Sequence, residues 1–300
     1  MKRFLLSLVA FVSLSVSAEA ATCFWVGGTG TWDNSTDAAK WSSSSGGSGS
    51  TCAATGGVPK NAGDIATFDG SSGGGTVTNN VDINIAQITI GAFTGTLDFA
   101  TNNKNVTLST AMSLTGAGTK TLNMGSGTWT LTATSGTVWD CATCTNLTLN
   151  AGTSTIDINA TPVAQRAFGG GSKTYSTVKF TCGGAPNLVN RFTGGNNTVS
   201  TLAVVGCQYL EFGGGTTTTV TTVNLPAGLS SGTTMYFGSD NAGTNATLST
   251  ASALSFSWLF VQGLTKAGAG SITATNSFDG GGNSGVTITP PAGGGGIISG

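Results

Sequence analysis

Cys141 and Cys144, separated by Ala-Thr, have the spacing of a thiol–disulfide centre or of half a metal site. A redox pair of this kind opens a helix in a βαβ setting, whereas these two cysteines lie among Thr-rich, strand-like segments. A zinc site would need two further ligands nearby, and none is visible. The chain has no histidine, which excludes Ser-His-Asp and Cys-His triads, a histidine general base and Cys/His zinc centres. What is left for the pair is a local disulfide across a turn, or buried thiols. The acidic groups point the same way. After residue 20 there is one glutamate, Glu211, and ten aspartates. Hydrolysis of a glycosidic bond needs two carboxylates about 5–10 Å apart. The closest pairs along the chain are Asp33 with Asp37 and Asp64 with Asp69, and all four lie in the N-terminal region. Lyase chemistry would want an acidic cluster for Ca²⁺ beside a base. Arg166 and Arg191 are one repeat apart, with no acidic cluster between them. No catalytic residues, cofactor or metal are expected.

Two further features could serve ligands. Gly27-Gly-Thr-Gly30 and Gly73–Gly75 have the composition of phosphate cradles, but no Lys-Ser/Thr follows them and no helix is expected, so they read as turns. Trp25, Trp32 and Trp41 are three of six tryptophans in the chain. They could form a platform for stacking sugars, but a plug over the open N-terminal end of a stacked-coil fold is the stronger reading. Net charge is −1 with no basic cluster, so the footprint of a nucleic-acid binder is missing.

The elements that must position these residues are short strands. Apolar–polar–apolar triplets recur along the chain: Ile88-Thr-Ile90, Leu97-Asp-Phe99, Val106-Thr-Leu108, Leu122-Asn-Met124, Trp129-Thr-Leu131, Leu147-Thr-Leu149, Ile156-Asp-Ile158. Gly, Ser and Asn fill the intervals. Gly, Thr and Ser together (48, 51 and 32) occupy 44% of the chain, and charged residues only 8%, against roughly 25% in ordinary globular domains.

A repeat selects the architecture. Phe168-Gly-Gly-Gly-Ser-Lys-Thr-Tyr-Ser-Thr-Val-Lys-Phe180 aligns with Phe192-Thr-Gly-Gly-Asn-Asn-Thr-Val-Ser-Thr-Leu-Ala-Val204 and, with one extra residue, with Phe212 to Leu225. The equivalent core positions are Phe168, Phe192 and Phe212, then Val178, Leu202 and Val223. A weaker echo begins at Phe278. The phenylalanine-to-phenylalanine period of roughly 20–24 residues indicates stacked coils. The expected fold is all-β, a right-handed parallel β-helix (β-solenoid) with an N-terminal Trp-rich cap. Stacked β-sandwiches are the alternative, but hairpin turns such as Asn-Gly are absent. Residues 21–75 are read as the cap and 76–289 as about ten coils, with an axis of roughly 45–50 Å. Six cysteines allow 15 pairings. Cys23 and Cys52 bracket the N-terminal loop region. Cys182 and Cys207 fall at nearly the same offset after the aligned Phe168 and Phe192, which favours a disulfide between adjacent coils.

Residues 1–20 read as a secretory signal. Lys2 and Arg3 precede an apolar stretch from Phe4 to Val16, and Ala18-Glu19-Ala20 supplies the cleavage pattern. Without it the chain carries 9 basic and 11 acidic groups. No later segment is long enough to span a membrane. Residues 290–300, Pro-Pro-Ala-Gly-Gly-Gly-Gly-Ile-Ile-Ser-Gly, read as a flexible linker or a docking strand for a partner or trimer mate.

The string Trp25-Val-Gly-Gly-Thr-Gly-Thr-Trp32-Asp, then Lys40-Trp41-Ser, Val58-Pro59 and Gly63-Asp64-Ile-Ala-Thr-Phe68-Asp69, resembles the opening module of parallel β-helix surface proteins of tailed-phage virions and of autotransporter-type bacterial proteins. Val138-Trp139-Asp140 followed by Leu147 to Ile156 is similar to coils of the same phage group. The resemblance implies a non-enzymatic, elongated surface protein: a virion-associated, spike- or fibre-like component with weak glycan or receptor contacts. Its expected partners are a cell-surface glycan, virion proteins or copies of itself in a homotrimer. A secreted adhesin or surface passenger is the alternative, and a polysaccharide lyase or hydrolase stands behind both. In each case the expected location is extracellular or on a surface.

Overall fold

The computed structural model describes residues 20–33, 38–183, 188–241 and 243–292. The signal segment up to residue 19, Asp37 and the tail from 293 onward lie outside the described residues. The chain is a β-solenoid of about eight turns, built almost wholly from parallel strands.

Each full coil visits three faces, in the chain order first, third, second. On the first face, Thr22–Trp25 pairs with Ile65–Phe68, and the ladder climbs without interruption to Phe278–Asp279. The third face begins at Gly30–Thr31 and runs through Thr76–Thr78 and Thr96–Asp98 to Lys120–Asn123 and Leu147–Asn150. The second carries Thr128–Leu131, Thr155–Ala160 and the later parts of Thr174–Cys182 and Asn197–Val205. The period-2 alternation of a strand sends every second residue inward. In-register pairing then stacks like upon like. Ile83, Val106, Trp129, Ile156, Val178, Leu202 and Val223 form one column of the second face. Ala66, Ile88, Met112, Trp139, Phe168, Phe192 and Phe212 form the column of the first. Glycine closes corners where coils touch: Gly152, at φ 59°, would place a Cβ 2.3 Å from the carbonyl oxygen of Gly125 on the coil below.

The repeat alignment is reproduced as sheet register: Phe168 faces Phe192, which faces Phe212, and Val178 faces Leu202, which faces Val223. Five of these six are buried. Val223 is only half-buried, because the loop 225–234 parts the second face beyond it and Leu254–Ser257 opens a separate three-stranded sheet. The echo at Phe278 is corrected as well. Phe278 pairs with Phe260 on the outer surface rather than extending the inner phenylalanine column. The turns number about eight rather than ten, and coil length is uneven. The coil from Phe260 to Phe278 is short, and the one from Trp139 to Phe168 is long.

The N-terminal end is sealed by Trp41–Ser42, which runs antiparallel to Thr22–Trp25 and covers its free edge. Beneath it Trp25, Trp32 and Trp41 meet edge to face, with centroids 5.1 and 5.0 Å apart, and each indole donates to a backbone carbonyl. From there aromatic contacts continue through Phe99, Trp129, Trp139, Phe168, Phe192, Phe212 and Phe237 to Phe256. Three disulfides pin the coils: Cys23–Cys52 in the cap, Cys141–Cys144 across a turn, and Cys182–Cys207 between adjacent coils. Among the described residues no helix is long and apolar enough to cross a membrane.

Three outcomes follow for stability. Phe192→Ala empties a fully buried site in the aromatic column and should cost about 3–5 kcal/mol, whereas half-buried Val223→Ala should cost about 1 kcal/mol; denaturant unfolding measures both. Replacing Cys182 and Cys207 together by serine reopens the loop that their disulfide closes and should cost about 3 kcal/mol.

Candidate functional site

Parallel register stacks outward residues as strictly as inward ones, and over most of the surface these are Thr, Asn or Ser. Thr128, Thr155, Thr177, Thr201 and Thr222 form one such column on the second face. The first face departs from this pattern in its last four rungs. Tyr209, Tyr236, Phe260 and Phe278 occupy a single outward column. The rings of Tyr209 and Tyr236 stack at 5.9 Å and 18°, and those of Tyr236 and Phe260 at 6.0 Å and 24°. Phe260 and Phe278 are 38% and 40% exposed, so the upper half of the ladder is an open aromatic surface.

The neighbouring outward positions carry charge. Arg191 pairs with Glu211, followed upward by Gly238 and Gln262. The Arg191 guanidinium donates twice to Glu211 Oε2, at 2.9 and 2.7 Å, and its Nε lies 3.6 Å from Asp240 Oδ2. Asp240 also accepts from the Gly214 amide at 2.7 Å. Beside this cluster the Tyr236 hydroxyl donates to the Ser239 carbonyl at 2.8 Å. Burial pushes the Tyr236 phenol above the usual tyrosine range, and the negative charges of Glu211 and Asp240 push it further. A groove of about 440 Å³ at the ladder is lined by Gln208, Tyr209, Thr233, Thr234, Tyr236 and Phe260. Of these, Thr233 is held by bonds to the Ser230 hydroxyl at 2.9 Å and to the Gly228 carbonyl at 3.1 Å.

The residues singled out from the sequence go elsewhere. Trp25, Trp32 and Trp41 are fully buried and present no ring face to solvent, so the cap offers no stacking platform. Asp64 is buried and accepts from the amides of Ala21, Lys60 and Asn61; Asp33 pairs with Lys60 at 2.8 Å; Asp69 caps a 3-10 turn. These carboxylates hold loops in place. Arg166 and Arg191 sit on neighbouring rungs but point to opposite sides of the sheet. Arg166 is fully buried, donating to Asn190 Oδ1 at 2.7 and 3.1 Å and to the carbonyls of Ala160 and Thr181 at 3.1 and 3.3 Å. Burial pushes its guanidinium down to about 10, opposed in part by Asp157. All six cysteines are in disulfides, and Cys141 and Cys144 are buried.

Reasoning from sequence missed the outer ladder and the Arg191–Glu211–Asp240 cluster. The available signal was an aromatic immediately before an inward apolar residue, as in Tyr209-Leu210, Tyr236-Phe237 and Phe260-Val261, which marks a strand that is apolar on both sides.

Fold and site together define a disulfide-pinned β-solenoid protein with an exterior aromatic stripe. No family model matches the chain, and no curated protein or solved structure does.

The electrostatic coupling is directly testable. Removing either negative charge, by Glu211→Gln or Asp240→Asn, should lower the ionisation pH of the Tyr236 phenol. Ultraviolet difference titration against Tyr236→Phe reads this out, and an unchanged profile would refute the coupling.

Proposed function

We propose that this chain is a non-enzymatic, elongated surface protein, a virion-associated spike- or fibre-like rod that holds cell-surface glycan along its outer aromatic ladder. The ladder itself carries the reading. Four aromatics in one outward column, three of them with stacked rings, on a surface rich in hydroxyls and amides are costly to leave in water unless something covers them. Aromatic faces suit the C–H faces of sugar rings, and flanking carboxylates and amides suit their hydroxyls. The stacked-coil rod and the W-V-G-G-x-G-x-W-D opening support the spike-like assignment, and three disulfides suit an oxidising exterior. The non-catalytic part is supported by the Arg191 guanidinium. It occupies the space between Glu211 and Asp240, where a hydrolase would need to admit the bond to be broken.

Immunogold labelling of particles and cells from the producing culture tests the location. Label on virion tails is expected; label confined to the cell envelope would make the protein an adhesin instead. Incubation of the full chain with a polysaccharide panel tests the chemistry. Release of new reducing ends or unsaturated sugars would overturn the non-enzymatic reading.

A further inference from the structure

The charges around the ladder narrow what it can hold. None of the groove-lining residues named above is ionisable to a cation, and Arg191, the cation beside the ladder, is already committed to two carboxylates. Along this stretch of the first face Glu211 and Asp240 stand against that guanidinium. A polyuronide or sulfated chain would bring one or more negative charges per sugar or disaccharide against this excess, with no free cation among the lining residues to receive them. By contrast, the Tyr209 hydroxyl, the Gln208 amide and the Thr234 hydroxyl have no protein partner among the described residues and border the groove. They are neutral donors and acceptors of the kind that pair with sugar hydroxyls. The ladder runs along the solenoid axis over three inter-rung steps, about 14 Å, which is longer than one pyranose.

From this arrangement we infer that the groove takes an uncharged, hydroxyl-rich polysaccharide laid along the solenoid axis over Tyr209, Tyr236, Phe260 and Phe278. The inference rests on the glycan-holding reading above and adds the chemical class and orientation of the ligand. Affinity electrophoresis and calorimetry on the full chain should show binding to galactomannan or dextran that changes little between low and high salt. Alginate and polygalacturonate should not bind. Oligosaccharides should compete and their monosaccharides should not. Phe260→Ala should weaken binding about tenfold or more, and Phe278→Ala, at the solvent-exposed last rung, should weaken it with the circular dichroism spectrum unchanged. Thr201→Ala, on the second face, should leave it intact. Binding of the acidic polymers alone, weakening as salt rises, would overturn the inference and keep the glycan reading. Neutral-polymer binding that survives both phenylalanine variants would overturn the assignment to this groove. No binding to any polymer would overturn the inference and the glycan reading together. Self-association of the chain that disappears in Phe260→Ala would give the ladder to a second copy and overturn the inference.

Discussion

Every coil of this chain is the floor of one neighbour and the ceiling of another, and in-register parallel pairing at roughly 4.8 Å per rung is the interaction on which the rest of the structure depends. A core so narrow admits only a few inward residues from each strand. It can therefore be built from a sequence with few core formers, provided equivalent residues meet. Ile85, Leu108, Leu131, Ile158, Phe180 and Val204 do so on one face, and the phenylalanines from 168 to 212 on another. The same constraint accounts for the threonines. A β-branched hydroxyl suits an outward strand position, and its copies on the rungs above and below create a favourable column at no cost to the core.

Register also explains how a full positive charge can reside inside the rod. Arg166 occupies an inward position in line with Asn190 and, one rung higher, Leu210. No carboxylate among the described residues bonds to it. Its donors are spent on the Asn190 side chain and on carbonyls of the second-face strands. Buried cations are tolerable when each N–H finds an acceptor. One rung up and one residue along, Arg191 takes the outward direction and meets Glu211. Strand parity alone separates a structural arginine from one that shapes the outer surface.

The same parity governs how far the fold and the site could be read from residues. The triplets from Ile88 to Ile158 announce strands, and Phe168, Phe192 and Phe212 announce coils, because both signals are local or evenly spaced. The site is neither. From Tyr209 through Tyr236 and Phe260 to Phe278 each step along the chain is shorter than the one before, and the loop 225–234 lengthens the first. Asp240 reaches Arg191 from the turn that follows Met235–Ser239, two rungs away. A periodicity strong enough to find the core pulled Phe278 into the wrong column, since Phe-Asp-Gly-Gly-Gly reads like the inner repeat. Only the pairing with Phe260 reveals that it faces out. Val223 shows the converse: correct register does not guarantee burial once the next rung of that face has moved away.

An outward aromatic column is a hazard on a solenoid, because open rungs and apolar stripes invite unwanted association. Natural rods blunt such surfaces with charge, and this one places Arg191, Glu211 and Asp240 beside the ladder rather than within it. The placement leaves the rings accessible while making the surroundings mildly anionic, so copies of the same surface repel one another and acidic polymers are disfavoured. Rigid rung spacing adds a further advantage. Held by backbone hydrogen bonds on a disulfide-pinned rod, the rings need no ordering when a ligand arrives, so little of the contact energy is lost to conformational entropy. Weak, repeated contacts on a preorganised rail suit the glycan-holding role proposed for this surface, which would draw on stacking and hydrogen bonding alone.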